Sequence, residues 1–178
     1  MKLLVMCEGA NEKAIMDILL ENHQLSFAAD DLLGLVTFHA RQIRTSGVVK
    51  AELNMYPGKV KILRIGDTQT ERLTIPSEYS DKIVSVEKYC TKPELEMLLI
   101  ISEKLISEYD KVKSSVRPKL FAKQNIRCGR RRYDNSTEFY RDYYGSDYKQ
   151  LVAAIREYKQ HKGSHQKDEF YLADLLIR

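Results

Sequence analysis

The chain opens with a short apolar run, Lys2-Leu3-Leu4-Val5-Met6-Cys7, that stops at Glu8-Gly9 and passes at once into a helical pattern. An apolar run this short, closed by a glycine, predicts a buried strand that turns sharply into a helix. Glu8 then stands at the carboxyl end of a strand, where open α/β sheets form their ligand crevice. A carboxylate there is expensive to bury and well placed to hold a divalent cation. Glu8 and Glu12 also suit a simpler role, facing the positive end of the following helix.

With 178 residues, the chain is long enough for one hydrophobic core and too short for two full domains. Apolar residues make up 43% and charged residues 30%, a globular rather than a disordered balance. No apolar run approaches the ~18 residues that span a bilayer, so no membrane partner is expected. The first residues lack a small-residue cleavage site, so no signal peptide is read. The three cysteines, Cys7, Cys90 and Cys128, have no metal-ligand spacing and suit a reduced, cytoplasmic protein. The formal charge of +4 decides little by itself, but Lys and Arg crowd the segment from Lys111 to Arg132.

Periodicity divides the chain into two parts. After the first strand, Ala14, Ile15, Ile18 and Leu19 recur at helical spacing through about Asn22. Leu32–Phe38 reads as a second strand. Thr45-Ser46-Gly47 opens a short helix that Pro57-Gly58 stops. Lys59–Ile65 reads as a third strand ending at Gly66-Asp67, and Ile83–Val86 as a fourth. Thr91-Lys92-Pro93-Glu94 has the pattern of a helix start, with Leu95, Leu98, Leu99 and Leu105 on its apolar face. Strand and helix alternate, which predicts an α/β fold with a mainly parallel four-stranded sheet flanked by helices over residues 1–110. Residues 111–178 are basic and tyrosine-rich and read as an appended helical subdomain. Within it, Ser146-Asp147 caps a helix closed by Gly163, and a last helix runs from Asp168 to Ile177.

Three of the expected strand ends carry acids: Glu8, Asp67 and Glu87. Neighbouring parallel strands lie ~5 Å apart, so acids at their carboxyl ends can converge on one cation. Such an oxygen-rich site suits Mg²⁺ or Mn²⁺. One such ion polarises a phosphodiester and activates water, and two clamp both oxygens of an in-line displacement. Acids at strand ends also cap helices or face solvent.

Met6-Cys7-Glu8-Gly9 with Glu12 resembles the opening motif of Toprim domains, the metal-binding fold of topoisomerases, primases and overcoming-lysogenization-defect nucleases. The apolar strand ending at Gly66-Asp67 is similar to the second motif of that family. Pro93-Glu94-Leu95-Glu96 resembles a Pro-x-x-Glu helix start in small Toprim-like proteins of phage defence. The resemblance spans roughly residues 1–110. It implies a divalent-metal-dependent nuclease or related phosphodiester enzyme acting on DNA or RNA. Glu8 would then act as general acid/base or metal ligand, Asp67 as metal ligand, and Glu12 would orient or share the cation. The family's second motif has Asp-x-Asp where this chain has Asp67-Thr68-Gln69, so one carboxylate is replaced by an amide. Glu87, Glu94 and Glu96 are the residues available to replace it. A non-catalytic regulatory or interaction subunit, with a protein partner or a second copy of the chain, is the alternative.

Other residues add less. Glu96 lies in an otherwise apolar helix and reads foremost as part of a surface stripe. Lys13 reads as a solvated residue of the first helix. His39, Arg41 and Arg44 follow the second expected strand and could reach a phosphate at the same edge. His161 and His165 read as a polar tail. Arg127, Arg130, Arg131 and Arg132, with Tyr133, Tyr140, Tyr143 and Tyr144 after them, have the composition of a nucleic-acid surface. A solvated basic loop beside core tyrosines has the same composition.

Overall fold

The computed structural model describes residues 1–67, 71–161 and 165–178. Thr68 and Gln69 of the second motif, and the Gly163 expected to close a helix, lie outside the described residues. The apolar opening run forms β1 (Lys2–Cys7), followed by α1 (Ala10–Glu21). Then come β2 (Phe38–His39), α2 (Gly47–Met55), β3 (Val60–Gly66) and β4 (Ile83–Cys90). Beyond β4 lie α3 (Met97–Ser102), α4 (Ile106–Asp110) and α5 (Pro118–Asn125). A small hairpin, β5 (Arg127–Cys128) with β6 (Arg131–Arg132), leads to α6 (Thr137–Gly145) and α7 (Tyr148–Gln160). The last strand is β7 (Glu169–Tyr171).

The main sheet has five strands in the order β2-β1-β3-β4-β7, every pair parallel. Its fifth strand corrects the expected four. The segment read as a helix from Asp168 pairs instead with Lys88–Cys90 of β4 and ends in a 3-10 turn, Leu172–Leu175. An apolar run so short does not separate strand from helix by periodicity, and the open edge of β4 decides. The second expected strand also changes. Within Leu32–Phe38 lies one 3-10 turn, Leu33–Leu35, where Gly34 (φ 68°) and Leu35 (φ 62°) adopt left-handed backbone that no strand accepts. A Cβ at Gly34 would stand 3.0 Å from the Phe38 ring. The strand itself is confined to Phe38–His39, beside Met6–Cys7.

Alternate residues of β1 and β3 face two separate cores. Val5, Cys7, Leu63 and Ile65 pack with Ile15, Leu19, Leu99, Tyr140 and Leu151. Leu4, Met6, Val60 and Ile62 pack with Leu33, Val49, Leu53 and Tyr79. Both faces of the sheet are thus covered at β1 and β3, and β1 reads as an apolar run from Leu3 to Cys7 for that reason. The first core joins β1 and α1 to α6 and α7, so the tyrosine-rich C-terminal part shares its interior with the α/β part. The caps are local. Ser46 accepts from the Val49 amide (3.4 Å), Ser136 from Phe139 (3.1 Å) and Asp147 from Gln150 (3.3 Å).

The helix expected at Thr91 begins later, at Met97. The Thr91 amide still donates to the Gly66 carbonyl (3.0 Å), so the strand ladder runs through the position where a cap was expected. No described helix is long and apolar enough to cross a membrane.

Candidate functional site

The strand order places β1 between its two sequence successors, β2 on one side and β3 on the other. Their connecting helices lie on opposite faces, α1 in one core and α2 in the other. In doubly wound sheets this reversal opens a crevice at the carboxyl ends of the strands. Glu8 follows β1 there, its amide held by the Ile65 carbonyl (2.8 Å), and Asp67 follows β3. Both line a cavity of 590 Å³ with Glu12, Glu96, Arg41 and Lys119.

Gly9 explains how Glu12 enters the same space. It caps α1 in extended conformation, and the Glu12 carboxylate folds back over it so closely that a Cβ at Gly9 would overlap it. Glycine here is a matter of room, since its φ of −131° suits any residue. Glu96 enters from the segment before α3. It is 3% exposed, which corrects the reading of a surface stripe. The Tyr133 hydroxyl donates to its Oε1 (2.5 Å), and Lys119 Nζ lies 3.9 Å away. Tyr133 also reaches Asn135 Oδ1 (3.1 Å), which accepts from Asn11 Nδ2 of α1 (3.1 Å). The C-terminal part therefore forms one wall of the cavity.

Four carboxylates crowd this space, and their electrostatics show it. Burial, followed by the charge of Asp67, pushes the Glu8 carboxyl up, while Arg41 and Arg64 pull it down. Burial pushes Glu12 up to about 7; a backbone hydrogen bond opposes this, and Asp67, Glu8 and Glu96 add to it. Burial also raises Glu96, against the bond from Tyr133. Glu8 Oε2 is buried and has no hydrogen-bond partner among the described residues. Buried oxygens are nearly always satisfied, so an unsatisfied one calls for a cause such as an ion. Among the described residues, no group of three or more His, Cys, Asp and Glu side chains is arranged to hold a metal ion.

Glu87 is not brought to this rim. β4 runs three residues past it to Cys90, and Glu87 pairs in register with Leu63. Its carboxylate is engaged by Lys61 (2.7 Å) and by the Tyr89 hydroxyl (2.8 Å). Burial would raise its pKa, but these two partners outweigh burial and lower it. Glu94 accepts from the Lys119 amide at the start of α5 (2.8 Å). Lys13 pairs with Asp17 (2.7 Å). Arg41 does reach the rim, donating from Nε to the Glu8 carbonyl (3.0 Å). His165 is no free tail residue, for its ring stacks on Tyr171 at 3.9 Å.

The basic segment divides in two. Arg131 is engaged by Asp134 (2.8 Å) and Asp142 (3.0 Å), whereas Arg127, Arg130 and Arg132 are exposed on the hairpin. Tyr133, Tyr140, Tyr143 and Tyr144 are buried in the core and offer no face to a base.

Sequence reasoning missed Arg64, Lys119 and Asn135. Arg64 sits in a strand that alternates lysine with apolar residues, so it reads as solvent-facing; it is 3% exposed and donates to the Glu71 carbonyl (2.9 Å). Lys119 and Asn135 lie far along the chain, and no local spacing ties them to Glu8. Comparison with models of known families, with curated proteins and with solved structures gives no match.

Proposed function

We propose that the rim cavity binds a divalent cation, Mg²⁺ or Mn²⁺, and serves cleavage of a nucleic-acid phosphodiester, as the resemblance of the opening motif to Toprim nucleases implies. The observation that carries this reading is the buried, unpartnered Glu8 Oε2 among carboxylates whose pKa values are raised. Crowded carboxylates with raised pKa values are frequent at functional sites, and a bound cation would add to the compensation that Arg41 and Arg64 already give Glu8. Glu8 and Asp67 would hold the cation, with Glu12 sharing or orienting it. Once bound, the ion would supply Lewis acidity to a phosphoryl oxygen and a lowered pKa to water. Arg41 and Lys119 flank the same cavity and would hold the phosphate. If Asp67 alone held the ion, Glu8 would instead serve as the general acid/base. The setting implied by the resemblance is phage defence.

A second reading is a binding subunit without catalysis. It is favoured by Gln69 in place of a second acid and by the missing three-ligand group among the described residues. Calorimetric titration with Mn²⁺ and a cleavage assay on single- and double-stranded DNA and RNA decide between them. The enzyme reading expects Mn²⁺ binding and cleavage by the wild type, and loss of both in Glu8→Gln and Asp67→Asn. Cation binding without cleavage of any of these substrates supports the second reading. No cation binding removes both the ion and the reaction.

A further inference from the structure

The β5–β6 hairpin carries an arrangement that the fold itself does not reward. Arg127 and Arg132 are directly opposite each other in its antiparallel register, and like charges so placed destabilise a ribbon. Side chains alternate across a strand, so these two share one face while Arg131 lies on the other. Arg131 takes both nearby acids, Asp134 and Asp142. No ion pair among the described residues engages Arg127, Arg130 or Arg132. The hairpin is held rigidly at its base, where Ile126 and Tyr133 are buried and the Tyr133 amide donates to the Ile126 carbonyl (3.0 Å).

The basic residues also continue inward. α5 carries Lys119, which lines the cavity, and Lys123 four residues later, exposed near the end of the helix. Residues four apart on a helix are neighbours, ~6 Å between Cβ atoms. Arg127 follows four residues beyond Lys123. Lys119 and Lys123 thus share one side of α5, and Arg127 follows where β5 begins, directly after the extended Ile126 that ends the helix.

We propose that Lys123, Arg127, Arg130 and Arg132 form a track for the phosphate backbone of a nucleic-acid strand whose inner end meets the cavity. This rests on the cation-site reading only for why such a strand should be held there. With the tyrosines buried, no aromatic face of this group is offered to a base, and the arginines' contact is to phosphates, which carry no sequence information. Guanidinium groups suit the bidentate geometry of phosphate oxygens.

Fluorescence anisotropy with a labelled 20-nucleotide single strand and a 20-base-pair duplex, in EDTA, tests the track without any divalent cation. The variant Arg127→Gln/Arg130→Gln/Arg132→Gln, checked for native fold by circular dichroism, is compared with wild type from low to moderate salt. Binding by wild type should weaken at least tenfold in the variant, and the salt slope should fall by about 1 per arginine. Equal affinity of variant and wild type overturns the track. So does wild-type binding to polyglutamate as tight as to the oligonucleotides, which points to an acidic protein partner. Failure of wild type to bind either oligonucleotide in EDTA also overturns it, and leaves the cation site standing. Oligonucleotide binding in a protein that takes up no Mn²⁺ supports the track and defeats only the cation site.

Discussion

Glu12 shows how a single side chain can be held in tension by its neighbours. Its carboxyl is pushed from the usual range up to about 7, first by burial, then by the acids around it. The native protein therefore keeps a proton that the unfolded chain releases between the ordinary carboxyl value and about pH 7. Stability should fall as pH rises through that window, then level off above it. Melting in EDTA at pH 5 and pH 8 measures this. Glu12→Gln should flatten the dependence and stabilise the protein at pH 8, by no more than about 3 kcal/mol. An unchanged slope in that variant would mean that other groups set it. The Glu8-Gly9-x-x-Glu12 arrangement was legible in the sequence because all its parts lie on one strand-to-helix turn. Glu96 was not, since its burial depends on Tyr133, 37 residues away. No spacing rule reaches that far. Glu87 misled for a local reason: the strand continues through polar Lys88 to Cys90, and alternation alone placed its end too early.

Elements were read well where a cap or a breaker coincided with an apolar period. α2 starts at its Ser46 cap and α7 at Asp147. Asp147→Ala should therefore cost about 1 kcal/mol and lower Tm by about 2–4 °C, as measured by thermal melting. A smaller change would show that the packing of Leu151 and Ile155 holds the helix without its cap. Elements were misread where the deciding contact is distant. β7 is a strand because β4 offers it an edge, and its Glu169 is buried against Lys92 (2.6 Å). The hairpin was lost inside a segment read as helical. Its two strands have two residues each, too few for any period to register, and the turn rests on Gly129 at φ 59°.

Across the whole molecule, the interior ignores the boundary that composition suggested near residue 110. One hydrophobic cluster takes in Val5, Ile15, Leu99, Tyr144 and Ile155, which belong to both parts. Unfolding should accordingly be one cooperative transition, with far-ultraviolet circular dichroism and tyrosine fluorescence changing together. A chain cut after Gln160 loses β7 and the buried Leu172, Leu175 and Leu176. It should lose that cooperativity and aggregate, as gel filtration and melting would show. Two separated transitions in the intact protein would instead restore the compositional boundary. The α/β class and the parallel sheet were readable because strand and helix patterns alternate along the first part of the chain. That the basic, tyrosine-rich part shares a core with the α/β part was not readable, because tyrosines look alike in core and at surface.

The wall supplied by Tyr133 and Asn135 has a bearing on how the protein comes into being. During synthesis, Glu8 emerges more than a hundred residues before Tyr133, the side chain that steadies Glu96 against it. For that interval the acids have no enclosure. A ribosome that stalls midway thus holds a polypeptide that carries Glu8, Glu12 and Asp67 but lacks the core that would gather them.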